Sequence, residues 1–260
     1  GGRLMGKVID FHSHYSGWAG QMSPEDTPAR TLRMLDEAGV DGLLISPMFN
    51  LFSHCPDCRP ENDAIVRYCS EAPDRLFAAC TVNPFDGQKA VDEIRRCREE
   101  HGTRVLKLHP WLQGFSVCTP EMNPVAELCQ ELGIAILFHD GTPVYTHPLQ
   151  IARLCRDFPA LKVVAGHAGL SDLWHEAVLA AQRYPEYYLC LCGPRERAMR
   201  IIIENVPARQ LCIGADFSTS DNDDAVLWFR WRSFRELDLP ADVREAIEYH
   251  TPARLLGLRD

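Results

Sequence analysis

Short apolar runs alternate with longer amphipathic stretches along almost the whole chain. The apolar runs are rich in Val, Ile and Leu and lack a regular polar alternation, which indicates strands buried on both faces. They predict eight strands, at Lys7–Phe11, Gly42–Ser46, Leu76–Thr81, Val105–His109, Ala135–His139, Lys162–Gly166, Tyr187–Leu191 and Leu211–Gly214. Apolar residues spaced three or four apart predict helices at Pro28–Ala38, Asn62–Ser70, Gln88–His101, Pro120–Leu132, Pro148–Phe158, Ser171–Arg183, Arg195–Asn205 and Pro240–Leu256.

Strands that alternate with helices pair in parallel through right-handed crossovers. Eight such units close a (β/α)8 TIM barrel, and 260 residues suit one barrel, so we predict a single α/β domain over residues 1–260. An open doubly wound sheet is the alternative, but no Gly-x-Gly-x-x-Gly follows the first strand. In a barrel, the carboxyl ends of the strands form the catalytic face.

Two segments are longer than the other connections and would lie over that face, at Pro47–Pro60 and Phe217–Leu239. The second segment contains four aromatic residues, Trp228, Phe229, Trp231 and Phe234. These residues predict either a helix packed on the barrel rim or part of a substrate lid, and we expect packing.

Composition narrows the classes of function. Hydrophobic residues make up 46% of the chain, which allows a large core. The net charge of -9 and the pI near 5.6 argue against a nucleic-acid or anionic-membrane binder, because either needs a basic face. No apolar run is long enough to span a membrane, and no secretory leader precedes Val8. We therefore expect a cytoplasmic protein that acts on a small molecule, with a homodimer as an open alternative to a monomer.

The 11 cysteines are an odd number in a chain that is long enough to fold without disulfides. They predict buried, reduced thiols in a cytoplasmic protein. His54, Cys55 and Cys58 have the spacing of half a structural zinc site, but a closed site needs four ligands and only Cys69 is a further candidate. We expect a polar loop there.

The first strand leads into the segment Asp10-Phe11-His12-Ser13-His14. Alternate residues of a strand point to the same face, so Asp10, His12 and His14 should project together. Two imidazoles on one face form half of a site for zinc, iron or manganese. Taken alone, the pair is equally compatible with one capping histidine and one core histidine.

The ends of the other strands supply further groups that bind metals or titrate. Lys107 and His109 end strand 4, His139 ends strand 5, His167 follows strand 6 and Asp216 follows strand 8. Each group alone has a structural explanation, such as a snorkelling lysine or an aspartate that caps a helix. Their shared position at one end of one barrel predicts a metal centre.

These segments resemble the amidohydrolase superfamily. The resemblance covers nearly the whole chain and rests on Asp10-x-His12-x-His14, Lys107-Leu108-His109-Pro110, Phe138-His139 with Gly141, Gly166-His167-x-Gly169 and Gly214-Ala215-Asp216. Within the superfamily the chain looks most like the amidohydrolase-2 branch. That branch contains aminocarboxymuconate-semialdehyde decarboxylases and aromatic-acid decarboxylases as well as lactone hydrolases.

The resemblance implies one divalent metal, most often zinc with manganese or iron as alternatives, held by His12, His14, His139 and Asp216. It also implies that His167 stands beside a metal-bound water and polarises the substrate or shuttles a proton, and that Asp216 acts as the base. These roles are compatible with general chemistry, because a metal lowers the pKa of its water and a nearby carboxylate can accept the proton.

Two features depart from the family pattern. The end of strand 7, Leu191-Cys192-Gly193, lacks the usual Asp or Ser, which removes the expected substrate contacts from that side. Lys107 stands where some superfamily members carboxylate a lysine to bridge two metals. A binuclear site is therefore the alternative to the mononuclear site that we predict.

The leading functional prediction is a metal-dependent hydrolase that uses a metal-activated water on a small, carboxylate-bearing lactone, ester or amide. The alternative is a non-oxidative decarboxylase of an unsaturated or aromatic carboxylic acid, and the third hypothesis is a non-catalytic metal-binding scaffold. Lys107, His109 and Arg195 are the predicted substrate contacts, because a carboxylate in a low-dielectric site needs a cation. Arg195 begins a predicted helix and is equally compatible with a solvated position.

Overall fold

A computed structural model describes residues 7–17, 26–52, 57–219 and 224–258, so His54 and Cys55 lie outside the described residues. The strands within these ranges are β1 (Ile9–His14), β2 (Gly42–Ser46), β3 (Leu76–Ala78), β4 (Val105–Leu108), β5 (Ala135–Phe138), β6 (Val163–Ala165), β7 (Tyr187–Cys190), β8 (Leu211–Cys212) and β9 (Phe217–Ser218). The α-helices are α1 (Pro28–Ala38), α2 (Arg59–Cys69), α3 (Gln88–His101), α4 (Pro110–Gln113), α5 (Met122–Leu132), α6 (Pro148–Asp157), α7 (Trp174–Arg183), α8 (Glu196–Asn205), α9 (Asp224–Arg235), α10 (Ala241–Glu245) and α11 (Thr251–Leu256), and a π-helical turn, Ala246–His250, joins the last two.

The strands pair in parallel, in the orders β3-β2-β1-β9 and β4-β5-β6-β7-β8. A bridge between Cys80 and Leu106 joins the end of β3 to β4. On the opposite side, the N–H of Phe11 in β1 donates to the carbonyl of Ile213, 2.9 Å away and just beyond β8. The two sheets therefore close into one (β/α)8 barrel, which confirms the predicted fold.

The first and eighth strands differ from their predicted bounds. β1 continues through His14 because β2 and β9 both pair with that end of it. β8 ends at Cys212, and the chain pairs again only at β9, beside β1. Between these two short strands, Asp216 adopts a left-handed conformation with φ of 57°. The interruption lets the chain bring Asp216 to the histidines of β1.

Alternate residues of the strands contribute to two different parts of the core, as the pleat requires. Leu43, Leu106 and Ile136 belong to the large cluster that the strands form with the surrounding helices. Leu44 and Leu137 belong to the second cluster, which fills the barrel interior and is closed by residues of α11. Layers of buried side chains of this kind make a barrel interior a packed core.

The segment after β9 forms a packed helix, in line with the interpretation favoured from sequence. Trp231 and Phe234 of α9 are buried, whereas Trp228 and Phe229 on the same helix are exposed. Among the described helices, none is both long and apolar enough to cross a bilayer. The described cysteines are free thiols, and all of them except Cys118 are buried.

A buried polar network connects α2, α3, and the ends of β3 and β4. Asn62 donates to the carbonyl of Thr81 at 3.0 Å and to Glu93 at 2.9 Å, and it accepts from the N–H of Thr81 at 2.9 Å. Arg96 donates to both oxygens of Glu93, at 2.7 and 2.8 Å. The hydroxyl of Thr81 in turn donates to the carbonyl of Lys107 at 2.7 Å. The network therefore fixes the backbone that carries Lys107.

This network predicts a pH-dependent contribution of Glu93 to stability. Burial opposes ionisation of Glu93, but the hydrogen bonds from Arg96 and Asn62 outweigh burial and lower its pKa to about 2. A folded pKa below the unfolded value of about 4.3 stabilises the protein above that value, and the contribution disappears as the pH falls toward about 2. We expect Glu93→Gln to lower the free energy of unfolding by about 1–3 kcal/mol at neutral pH.

Urea unfolding of both proteins over a series of pH values checks this expectation. The difference between wild type and Glu93→Gln should shrink as the pH falls below about 4.3. Glu99→Gln, an exposed change on the same helix, is the matched control and should have little effect at any pH. A constant difference across the pH range would contradict the assignment.

Candidate metal centre

His12 and His14 both direct the same ring nitrogen toward the catalytic face. Nδ1 of His12 lies 3.0 Å from the carbonyl oxygen of Gly166, and Nδ1 of His14 lies 3.0 Å from the carbonyl oxygen of Pro47. A carbonyl oxygen can only accept a hydrogen bond, so each Nδ1 is the protonated nitrogen. The Nε2 atom of each ring is left with a lone pair, as a metal ligand requires.

The carboxylate of Asp216 faces both of these lone pairs. Its Oδ1 lies 3.3 Å from Nε2 of His12 and 3.2 Å from Nε2 of His14. Three acceptor atoms at this spacing repel one another unless a cation lies between them. Ligand atoms about 2.1 Å from a tetrahedral ion are about 3.4 Å apart, which is close to the observed distances. The donor set of His12, His14 and Asp216 therefore fits a divalent transition metal.

The position of Asp216 depends on close contact between its segment and β1. Its N–H donates to the carbonyl of His12 at 2.7 Å. A Cβ at Gly214 would lie only 2.5 Å from both N and Cβ of His12, so a glycine is needed for this approach. Aspartate tolerates the left-handed conformation of position 216 better than most residues. The turn thus delivers a carboxylate to the ligand cluster.

Asp10 has a different position from the one that strict strand alternation predicts. Its carboxylate accepts from the N–H of His12 at 3.0 Å, the N–H of Ala215 at 3.0 Å and Nε1 of Trp231 at 2.7 Å. The register of β1 against β2 shifts between Asp10 and Ser13, which breaks the regular alternation. Burial raises the pKa of Asp10 to about 7. Asp10 therefore supports the backbones beside two ligands instead of binding the metal itself.

His139, the fourth predicted ligand, lies in the wall of the same site. Its ring stacks on that of His109, with centroids 3.8 Å apart and an interplanar angle of 8°. Its Nδ1 lies 2.8 Å from Nε2 of His167. Among the described residues, His139 is outside the tight cluster that His12, His14 and Asp216 form. The structure thus brings three predicted ligand groups into direct contact and places the fourth beside them.

His167 is buried behind the ligands, with Nδ1 3.9 Å from Oδ2 of Asp216. Asp140 holds its backbone by accepting from the N–H of His167 at 2.5 Å and the N–H of Gly169 at 2.6 Å. The turn that follows is unusual, because Ala168, Gly169 and Leu170 all have positive φ, at 47°, 83° and 58°. Asp140 was not among the site residues predicted from the sequence, although its position directly after His139 was a signal.

The protonation states of the site suit a metal. Burial lowers the pKa of His12 and of His167 well below its usual value, and burial, with the charge of Lys107, lowers the pKa of His139 to about 3. Burial would raise the pKa of Asp216, but His12, His14 and His167 hold that pKa well below its usual range. Neutral imidazoles and an ionised carboxylate are the forms that bind a divalent metal.

A cavity of about 360 Å³ opens beside these groups. It is lined by His14, Tyr15, Ser16, Gly17, Met48, His109, Leu112, His139, Asp216, Phe217 and Ser218. A larger cavity, of about 470 Å³, lies between α2 and α3 and contains none of the strand-end residues, so we assign the chemistry to the smaller one. The lining of the smaller cavity combines apolar side chains with three histidines and the carboxylate of Asp216.

The three predicted substrate contacts occupy different positions. His109 lines the cavity, and because its Nδ1 accepts from the N–H of Leu112 at 3.4 Å, its proton is on Nε2. Lys107 is fully buried, and its Nζ lies 2.9 Å from Nε2 of His12. Burial lowers the pKa of Lys107. Arg195 is exposed before α8 and is not among the described residues that line the cavity.

Glu61 of α2 shapes one side of the site. Its carboxylate accepts from the N–H groups of Met48, Phe49 and Asn50, at 2.9, 2.9 and 2.7 Å. The loop held in this way presents Met48 to the cavity and the carbonyl of Pro47 to His14. In the sequence, Glu61 looks like an ordinary acidic residue directly before the predicted helix Asn62–Ser70, so no signal distinguished it.

Comparison with known proteins agrees with this geometry. The sequence model of the family described as Amidohydrolase (Amidohydro_2) matches residues 53–258, which is most of the chain. A curated 2-amino-3-carboxymuconate-6-semialdehyde decarboxylase from Dictyostelium discoideum is 26% identical over 130 residues. That match spans 42% of this chain but only 36% of the relative's length.

Solved structures show the same fold over the whole chain. A 2,6-dihydroxybenzoate decarboxylase from Rhizobium has a TM-score of 0.77 and 16% identity, and the match covers 97% of this chain and 99% of that one. A dihydroxybenzoic acid decarboxylase from Polaromonas sp. JS666, with bound manganese and the inhibitor 2-nitroresorcinol, has a TM-score of 0.76 and 18% identity, with 97% of each chain covered. The family match over most of the sequence and the shared barrel confirm the resemblance seen in the sequence: this chain belongs to the amidohydrolase-2 family.

Proposed function

We propose that this protein is a metal-dependent, non-oxidative decarboxylase of a small aromatic or unsaturated carboxylic acid. The observation that carries the proposal is the ionised carboxylate of Asp216, which both lines the cavity and belongs to the cluster of metal ligands. A hydrolase would use the same groups. The names of the similar proteins support the decarboxylase alternative better than the hydrolase that the sequence put first.

His12, His14 and Asp216 would hold the metal, and His139 is the fourth candidate ligand. When bound, a divalent metal orients the substrate and withdraws electron density from the group that it contacts. Nitrogen and carboxylate ligands suit manganese as well as zinc, and the similar Polaromonas structure holds manganese. We therefore propose a divalent metal and treat zinc and manganese as equal candidates.

The cavity suits a flat, partly apolar substrate. Tyr15, Met48, Leu112 and Phe217 supply an apolar wall for a ring or a conjugated chain. The protonated Nε2 of His109 supplies a hydrogen-bond donor at the same wall, and burial keeps this ring neutral by lowering its pKa to about 2. The lining thus orients a substrate without adding a positive charge of its own.

Decarboxylation replaces a bond from carbon to the carboxylate with a bond from carbon to hydrogen, so the site must deliver one proton. Asp216 is ionised at rest and therefore has to take up a proton before it can donate one. The buried imidazoles are neutral, so this proton comes from a substrate hydroxyl or from water. Asp216 then protonates the carbon, the carbon–carbon bond breaks, its electron pair stays on the carbon, and carbon dioxide leaves.

The test of the proposed function is an assay that follows carbon dioxide and ester cleavage in parallel. Protein loaded with manganese or zinc is incubated with dihydroxybenzoates, 5-carboxyvanillate, unsaturated diacids, and carboxylate-bearing lactones and aryl esters. We expect at least one acid to release carbon dioxide, and we expect a chelator to abolish the reaction until metal is restored. Cleavage of a lactone or ester without carbon dioxide would replace the proposal with the hydrolase, and inactivity toward the whole panel would reject both.

Asp216→Asn should separate metal binding from proton transfer. Asparagine keeps one ligand oxygen but cannot act as an acid or base, so we expect kcat to fall about a hundredfold or more at saturating metal. Metal content by elemental analysis and circular dichroism should show a loaded, folded protein. Asp172→Asn, an exposed change, serves as the control. Near-normal turnover with full metal occupancy would transfer the proton-donating role to His167.

Lys107→Met tests whether the buried amine acts on the substrate. Methionine keeps an unbranched side chain but removes the cation, so we expect KM to rise about tenfold or more while metal content is retained. Lys89→Met, an exposed change, is the matched control. Loss of metal from Lys107→Met would instead show that the lysine is a ligand, as in a binuclear site with a carboxylated lysine.

A further inference from the structure

The thiol of Cys192, two residues beyond β7, contacts three groups of the candidate metal centre. Its Sγ lies 2.8 Å from the carbonyl oxygen of Gly166, 3.1 Å from Nδ1 of His167 and 3.4 Å from Nδ1 of His12. The side chain is buried, and it is not among the described residues that line the cavity. Cys192 therefore acts on the histidines and not on a substrate.

The carbonyl of Gly166 sets the direction of these hydrogen bonds. It can only accept, so the S–H of Cys192 donates to it at 2.8 Å. The N–H at Nδ1 of His12 donates to the same oxygen at 3.0 Å, and a carbonyl oxygen has two lone pairs for these two donors. The sulfur of Cys192 is then left as an acceptor, and Nδ1 of His167, 3.1 Å away, is placed to donate to it beside the neighbouring thiol of Cys190.

The same direction of hydrogen-bond donation extends from His167 to His139, the fourth candidate metal ligand. A neutral His167 with its proton on Nδ1 has a lone pair on Nε2, and that atom lies 2.8 Å from Nδ1 of His139. Nδ1 of His139 must therefore carry the proton of this hydrogen bond. Nε2 of His139 then keeps its lone pair. That is the tautomer in which an imidazole binds a metal through Nε2.

We propose that Cys192 is a positioning residue that sets the tautomer of His167 and, through His167, the tautomer of His139. The hydrogen bonds run in one direction from Nδ1 of His139 to Nε2 of His167, from Nδ1 of His167 to the sulfur of Cys192, and from that thiol to the carbonyl of Gly166. The proposal rests on the proposed function only in taking His139 as a metal ligand.

The backbone around His167 is held by other groups, so the role of Cys192 is separable from packing. Asp140 binds the N–H groups of His167 and Gly169. A Cβ at Gly193 would lie 2.2 Å from the carbonyl oxygen of His167, so β7 already packs closely on that residue. The thiol adds the choice of which ring nitrogen carries the proton, because it lies 3.1 Å from Nδ1 of His167, closer than Oδ2 of Asp216 at 3.9 Å.

The tautomers are measured directly by two-bond proton–nitrogen NMR on protein with labelled histidines, both free of metal and loaded with diamagnetic zinc. A His167→Asn spectrum assigns the signals of His167. In wild type we expect the proton of His167 on Nδ1. We expect Cys192→Ser, which keeps both a donor and an acceptor, to preserve this tautomer, and Cys192→Ala to shift His167 toward the other tautomer.

Zinc affinity supplies a second measurement that does not depend on activity. Loss of a group that orients a metal ligand costs about 10–100-fold in metal affinity, so we expect that loss for Cys192→Ala. Cys192→Ser should bind zinc nearly as tightly as wild type. Cys155→Ala, which removes a buried thiol from α6, is the control for a general packing defect.

Three results would overturn the proposal. They are a wild-type His167 with its proton on Nε2, a Cys192→Ala variant whose tautomers and zinc affinity match wild type, and a Cys155→Ala variant that weakens zinc binding as much as Cys192→Ala. The decarboxylase assay is independent of these results. A protein with the expected tautomers but no release of carbon dioxide would refute the proposed function alone.

Discussion

Three acceptor atoms converge where the barrel closes: Oδ1 of Asp216 lies 3.3 Å from Nε2 of His12 and 3.2 Å from Nε2 of His14. A cation between them would stabilise this arrangement, and its surroundings keep the three groups from moving apart. The carbonyl oxygens of Gly166 and Pro47 accept hydrogen bonds from Nδ1 of His12 and Nδ1 of His14, so neither imidazole can turn its protonated nitrogen toward Asp216. The orientation of both candidate ligands is thus set by hydrogen bonds on the far side of each ring.

Buried carboxylates position this cluster without binding the metal. Asp10, Asp140 and Glu61 each accept two or three N–H groups, mostly from the backbone beside a functional residue. A buried carboxylate without such donors would cost several kcal/mol. These three carboxylates accept hydrogen bonds from neutral N–H groups. They therefore hold the loops in place without a second cation that would compete with a metal for the ligands. The cavity consequently keeps neutral imidazoles beside an ionised Asp216.

The distribution of positive charge bears on substrate recognition. Of the three predicted substrate contacts, Arg195 is exposed and His109 is neutral. The buried Lys107 is therefore the predicted contact whose basic group lies nearest the candidate metal ligands. The amine of Lys107 is buried beside His12 and is not among the described residues that line the cavity, so a metal bound at the site would be the main positive charge that faces a substrate carboxylate. Such a site favours reactions in which the metal orients the acid, and decarboxylation by relatives with the same fold is consistent with it.

The sequence alone was sufficient to predict the barrel, the family and the strand ends at which the candidate site residues lie. Buried strands alternating with amphipathic helices leave few topologies, and parallel strands place all their carboxyl ends on one face. Local pattern also located His12, His139 and Asp216, because each directly follows or ends an apolar run, and His14 two residues beyond His12, whereas their assignment as one ligand set came from the resemblance to the family.

Only the tertiary structure decided how these residues act. The tautomer of His12 depends on Gly166, 154 positions away, and the surroundings of His167 depend on Cys192, 25 positions away. The interrupted eighth strand, which brings Asp216 to β1, arises where the barrel closes, and the shifted register that removes Asp10 from the ligand face arises between β1 and β2. A hydrogen bond depends on distances and angles between residues that are remote in sequence, and a periodic pattern contains no information about those quantities.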